Sequence, residues 1–411
     1  MLAVDALVIG AGPAGLAAAT SAKAGGAGAI VLVDREDEAG GIPRLCAHTG
    51  FGVRDLRRVL SGPAYARRWV DRAMACGVDI RTRTMVTGWS ASGRALLTGP
   101  GGLLEVEARA LVLATGARER PRAARLVPGS RPTGIFTTGQ LQQWVHAEHL
   151  PLGRRALVVG AEHVSYSAVL TLREAGVRTV ALVTGHPRPQ TFGFFDLLTR
   201  VGLRVPVWTE TTVAGVFGRD RVDHVLLRGP GGDVRAVAVD TVVFSGDFIP
   251  DNELARVAGL SIDPGTRGPA CGADGTTSAP GIFATGNLVH PVETADVTAR
   301  RALSVGTAAA AWLRREEGRQ PQATVAVRVA DPLHWVVPNV VGRDAVPHDP
   351  VLVRTQSFLD HPRLDVTQGG RLLASYRLRR MIPNRSHHIP AGWQGRVRPE
   401  EDVLIAVASP R

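Results

Sequence analysis

The chain has 411 residues, 45% of them hydrophobic and 21% charged, with a formal net charge of +11. That length exceeds one ordinary domain and predicts two or three packed units. No apolar run approaches the ~18 residues that a membrane-spanning helix needs. The start, MLAVDALVIGAG, has no basic region ahead of its apolar stretch, so it does not read as a secretory signal and the expected compartment is the cytoplasm. Lys23 is the only lysine, and the arginines are dispersed without an aromatic-interleaved stripe, which argues against nucleic acid as a partner. Cys46, Cys76 and Cys271 are too few and too scattered for a disulfide framework, a zinc site or an iron–sulfur cluster. No metal is expected on this chain.

Residues 4–9 (VDALVI) form an apolar run that ends in Gly10-Ala11-Gly12-Pro13-Ala14-Gly15, followed by the helical stretch LAAATSAKA and a second apolar run, AIVLVD, ending at Asp34. This is strand, glycine turn, helix, strand, acidic residue. Gly10 permits the tight turn, Gly12 gives a pyrophosphate access to the backbone, and Gly15 lets the helix pack closely on the strand. The free N–H groups at the helix start bind the diphosphate, and Asp34 is placed to accept from ribose hydroxyls.

Three further segments favour the longer dinucleotide FAD over NAD: Gly40-Gly41, the strand LVLATGA (111–117) ending in Ala114-Thr115-Gly116, and TSAPGIFATGNLV with Gly286-Asn287. In this order the motifs resemble the flavoproteins with two dinucleotide-binding domains, the glutathione reductase-like superfamily, over about residues 1–315. The resemblance implies an α/β fold of two Rossmann-like domains, the FAD domain split in sequence. It carries Arg35, Gly41, Arg44 and Val86 into the cofactor-binding set. It also implies a ribityl contact from Asn287, where the family usually has Asp, and a helix beginning near Thr294 whose N-terminus faces the flavin. His290 precedes that helix; a place beside the isoalloxazine and a structural role in a turn are both open.

From Arg154 the strand–turn–helix–strand unit repeats, but its turn reads Gly160-Ala161-Glu162-His163-Val164-Ser165. Glu162 stands where the backbone should meet a diphosphate, and both its size and its charge oppose one. The second strand ends in Thr184, with no carboxylate, and Arg188 is a weak candidate for a 2′-phosphate contact. The favoured reading keeps the fold and loses or alters the nucleotide; ordinary NAD(P)H binding is the alternative. Residues 205–248 read as an antiparallel excursion of this domain.

Cys46 stands alone in GGIPRLCAH, so a flavin-adjacent redox thiol and a buried structural cysteine are both open. This stretch, with TGARERPR, GAEHVSYSAVLTLREAG and GNLVHPVETAD, resembles the FAD subunits of multicomponent amine and amino-acid dehydrogenases, relatives of opine oxidase, hydrogen cyanide synthase and sarcosine oxidase alpha. The resemblance implies that a second flavoprotein subunit is the partner, with a 2Fe–2S chain in some systems; for Arg44, Arg118 and Arg120 a place near the flavin or phosphates and a surface ion-pair role are both open. REEGRQPQ reads as a linker, and residues 322–411 as a small β-rich domain with a packing or subunit-docking surface anchored by Trp335 and Trp393.

The expected organisation is an FAD domain in two stretches, 1–125 and 261–316, enclosing a second Rossmann domain over 126–260 and followed by the β-rich domain over 322–411. The expected function is an FAD-dependent oxidoreductase, the flavin subunit of a heteromeric dehydrogenase. The alternatives are a stand-alone NAD(P)H-dependent flavin reductase and a nucleotide-binding structural subunit.

Overall fold

The computed structural model describes residues 1–191, 193, 197–314, 324–342, 350–399 and 401–408. The linker reading at 315–322 lies outside them. The first sheet runs Asp79–Arg81, Ile30–Val33, Leu2–Ile9 and Gly102–Leu113, then the antiparallel strands Ala95–Gly99 and Met85–Trp89. Ile282–Ala284, from much later in the chain, pairs parallel with Gly102–Leu113. The Leu2–Ile9 strand is apolar almost throughout because it lies between two parallel neighbours with both faces covered.

One face of this sheet is covered by the helices Pro13–Ala24 and Ala295–Leu313. Their small residues let the backbones touch: a Cβ on Gly306 would lie 2.1 Å from the Ala18 carbonyl oxygen. The alanines that read only as helix formers are therefore the contact surface as well.

The second sheet is wholly parallel, in the order Ile135–Thr137, Thr241–Phe244, Arg155–Val159, Arg178–Val183, Val207–Trp208. A three-stranded antiparallel layer, Thr212–Gly218, Val222–Arg228 and Val234–Ala238, forms the excursion. Two short antiparallel strands, Ala117–Glu119 and Phe248–Pro250, pair between the two Rossmann-like units. The fold is thus two Rossmann-like units followed by a β-rich C-terminal module of five-stranded and three-stranded sheets.

The C-terminal module is joined to the rest by a shared core. Trp335, Val337 and Leu352 pack with Leu288, Val289, Leu260 and Cys271. The structure corrects the expected docking anchors: Trp335 and Trp393 are both buried, at 2% and 0% exposure, and present no surface to a partner.

Candidate functional site: the first glycine turn and its surroundings

Two of the three glycines in the first turn are close-packed and the third is not. A Cβ on Gly10 (φ +105°) would lie 2.4 Å from the Ala114 carbonyl oxygen, and one on Gly15 would lie 1.9 Å from the Gly10 carbonyl oxygen. Both positions need glycine for packing. At Gly12 the nearest atom to an added Cβ is Gly41 Cα, 4.0 Å away. That clearance lies at the N-terminus of the twelve-residue helix Pro13–Ala24, with Pro13 in its first turn. Unpaired N–H groups and the helix dipole make it a place for a diphosphate.

Segments far apart in sequence converge on this point. Gly40 donates its N–H to the Ala11 carbonyl at 2.8 Å, which brings Gly41 across Gly12. A Cβ on Gly286 would lie 2.7 Å from Ala14 Cβ. Ala114 donates its N–H to the Ile9 carbonyl, Thr115 Oγ1 donates to the Asp251 carbonyl at 2.7 Å, and Gly116 has open space beside it.

Asp34 accepts from the Ala11 N–H at 2.6 Å and from the Glu36 N–H at 3.0 Å. It braces the turn, and each carboxylate oxygen keeps a further lone pair for a diol. Arg35 is exposed and lies 3.6 Å from Glu36 and 3.9 Å from Asp251. Arg44 lies between Glu36 and Glu38 at 3.8 and 3.5 Å. Val86 is a core residue, 5% exposed. Arg118 and Arg120 are engaged across the linking strands, Arg118 with Asp251 and Glu253 and Arg120 with Asp247 at 3.0 Å.

Both ends of the Asn287 amide are used inside the protein. Its Oδ1 accepts from the Glu293 N–H at 2.9 Å and its Nδ2 donates to the Glu293 carbonyl at 3.3 Å. An aspartate could not make the second bond, which gives a physical reason for the departure from Gly-Asp. One Nδ2 proton remains for an outside acceptor.

The loop closed by this staple leads into the helix Ala295–Leu313, with Thr294 at the N-cap position and its hydroxyl donating to Asp296. It is held from the C-terminal module by Arg354, which donates to the Pro291 carbonyl at 2.8 Å and the Val292 carbonyl at 2.7 Å. Arg354 also lies 3.7 Å from Glu293 and its guanidinium sits over the Trp335 ring at 4.8 Å. It is 7% exposed, and burial lowers its pKa to about 10, so it keeps its charge at neutral pH. From the other side Arg54 donates its backbone N–H to Asp296 at 3.2 Å, and the Tyr65 hydroxyl donates to Asp55 at 2.7 Å and lies 3.1 Å from the Ala295 carbonyl.

His290 is 3% exposed, and burial, with the charges of Arg301 and Arg354, pushes its pKa down to about 3. The ring is neutral, and its Nδ1 has no hydrogen-bond partner among the described residues. Cys46 is buried; its thiol donates to Ile42 and Gln142 at 3.5 and 3.6 Å, and burial pushes its pKa up to about 12. A thiol held protonated is a poor nucleophile, so the geometry favours the packing reading over the redox one. Local pattern gave no sign of Arg354, Glu293 or Arg54, because their contacts join segments tens to hundreds of residues apart.

The second turn differs in the feature that matters. Gln190 donates its N–H to the Ala161 carbonyl at 2.9 Å, the counterpart of Gly40 and Ala11. Glu162, however, fills the space that is open at Gly12. A Cβ on Gly246 would lie 1.8 Å from Glu162 Oε1, and one on Gly160 2.9 Å from it. Burial, offset by Arg125 and reinforced by Glu119, pushes the Glu162 pKa up to about 7.

A family profile described as pyridine nucleotide-disulphide oxidoreductase matches residues 4–319. The chain belongs to this family. It is 27% identical over 316 residues to one subunit of the opine oxidase of Agrobacterium tumefaciens (strain Ach5), covering 69% of this chain and 61% of that protein. It is 28% identical over 304 residues to the ferredoxin reductase component of the chlorobenzene dioxygenase of Cupriavidus sp. (strain PS12), covering 70% and 67%. The chain thus spans about three-fifths of the length of the first of these relatives and two-thirds of the second. The solved structure of thioredoxin reductase from T. acidophilum shares the fold, with a TM-score of 0.63 at 19% identity, covering 76% of this chain and 98% of that one. No helix among the described residues is long and apolar enough to cross a membrane.

Proposed function

We propose that this chain binds FAD in its first domain and serves as the flavin subunit of a heteromeric dehydrogenase of the amine or amino-acid type. The observation that carries the reading is the uncrowded position of Gly12 at a helix N-terminus, where an added Cβ would meet only Gly41 Cα, at 4.0 Å, while Ala114 packs on Gly10 and Gly286 on Ala14. Gly10, Gly12, Pro13, Ala14 and Gly15 would hold the diphosphate, Asp34 the adenosine ribose, and Asn287 a ribityl hydroxyl through its remaining N–H. Bound there, a flavin would supply the hydride and electron-transfer chemistry. The chain's own role would be to bind and orient it, with the loop that Arg354 holds fixing the direction of the Ala295–Leu313 helix whose N-terminus would face it.

Two relatives are named as components of larger systems. They support a partner protein, either a second flavoprotein or an iron–sulfur chain, as the other end of the electron path. A stand-alone NAD(P)H reductase fits less well, because Glu162 occupies the matching position of the second domain.

The test is the nucleotide released on denaturing the purified protein, with Gly12→Glu as the control. FAD near one per chain, lost in Gly12→Glu, is expected, because that change reproduces in the first turn what Glu162 does in the second. Purified protein free of FAD, and unable to take it up, would overturn the reading. Recovery from the native host of a fully active enzyme without any partner would overturn its heteromeric half.

A further inference from the structure

The family description implies a pyridine nucleotide, and the residues of the second domain do not fit one. The end of the Arg178–Val183 strand is where a dinucleotide's adenosine ribose lies in this fold. The first domain has Asp34 there. Here Thr184 turns inward, its hydroxyl 3.2 Å from the buried Gln190.

Two side chains that follow it, His186 and Arg188, are both taken by the C-terminal module. His186 meets the Phe358 ring edge-on, with centroids 5.9 Å apart. Arg188, the candidate for a 2′-phosphate contact, stacks its guanidinium over the same ring at 4.6 Å and pairs with Asp360 at 3.0 Å. Asp360 is held in turn by Arg380 at 2.9 Å. The diphosphate position is filled by Glu162, whose carboxylate lies against Gly160 and Gly246 and whose Oε1 has no hydrogen-bond partner among the described residues.

We infer that the second dinucleotide groove is closed from within this chain: Glu162 stands in the place of the diphosphate, and Phe358 with Asp360 of the C-terminal module stands in the place of the adenosine. The two closures are independent. One comes from the turn itself, and the other reaches across from a strand pair about 170 residues later in sequence. The Glu162 side chain also takes the room in front of the helix N-terminus that a phosphate would need.

This inference deepens the proposed function by removing NAD(P)H as a direct electron source, but its test does not depend on that reading. The flavin content of each sample is measured first, and nucleotide binding is then read by calorimetry with NADH, NADPH, NAD⁺ and ATP on the full chain. The intact protein is expected to show no binding up to about 1 mM, the upper range of ordinary enzyme affinities. Glu162→Gly combined with Phe358→Ala and Asp360→Ala is expected to gain affinity for at least one of these nucleotides by about tenfold or more. Micromolar binding of any of the four to the intact protein that persists in Gly12→Glu, where the first turn is closed, would overturn the inference. A folded triple variant, verified by circular dichroism, that gains nothing would overturn the assignment of the closure to these three residues. Should the triple variant not fold, Glu162→Gly and Phe358→Ala with Asp360→Ala are tested separately, and the same two results apply.

Discussion

Glu162 and Gly12 occupy equivalent places in two turns of the same design, and their difference is one side chain. At Gly12 the backbone is bare and a diphosphate has room. At Glu162 a carboxylate is sealed among two glycines, Glu119 and Arg125, with a pKa raised from 4.5 to about 7. Between those two values the folded protein holds a proton that the unfolded chain releases, so this group makes stability fall as pH rises from about 4.5 to about 7. Glu162→Gln removes the titration. The variant is expected to gain stability relative to the parent as pH rises through that window, by up to on the order of 3 kcal/mol above pH 7. His290 contributes the opposite slope, because its lowered pKa costs stability as pH falls below 6.5, but it is present in both proteins and cancels in the difference. Urea unfolding of the pair at about pH 5 and about pH 8 checks this. An equal difference at both pH values would show that Glu162 does not titrate as its burial implies.

At the scale of elements, the loop between Gly286 and the helix Ala295–Leu313 is the segment that local reading left open. The glycine and the helix start at Thr294 were both legible, since a capping residue ahead of an alanine-rich run is a local signal. The wiring was not: Asn287 closes the loop on Glu293, and Arg354 holds it from outside. Arg354→Met leaves two carbonyls and Glu293 without their donor, and is expected to cost ~3–5 kcal/mol in unfolding free energy. It is also expected to lower the retained FAD, because the loop sets the direction of the helix that follows. Arg354→Lys, which keeps the charge and some of the bonds, recovers a share of both. A destabilised Arg354→Met protein with undiminished FAD affinity would show that the clamp serves folding alone.

At the scale of the whole molecule, the net charge of +11 resolves into paired and unpaired arginines. Arg81, Arg94, Arg109, Arg118, Arg188, Arg328 and Arg380 each face a carboxylate. On the outer face of the helix Gly62–Ala75, Arg67 and Arg68 are exposed, and their side chains make neither ion pair nor hydrogen bond among the described residues. A shallow depression of about 430 Å³ lined by Ala64, Arg67, Arg68, Asp71 and Arg72 lies on that face. If the proposed partner docks here, it presents acidic groups. Arg67→Glu with Arg68→Glu is then expected to weaken the complex about tenfold or more at low salt, and to flatten its salt dependence. Sedimentation or calorimetry of the reconstituted pair measures it, and unchanged affinity would move the partner to another face.

Sequence alone specified the two strand–turn–helix–strand units, the intact first turn, the altered second one and the β-rich end. Each of these rests on local signals: glycine where backbone must pass close, apolar runs in buried strands, alanines in a close-packed helix. The tertiary structure decided that Trp335 and Trp393 are core and not docking anchors, that Asn287 is a staple, and that Arg188 answers to Asp360. Those outcomes depend on which distant segments meet, and a side chain's partner across tens or hundreds of residues leaves no period or spacing in the chain to be read. Gly12 was legible because a missing side chain has the same meaning wherever the fold places it; Arg354 was not, because an arginine takes its meaning from what it touches.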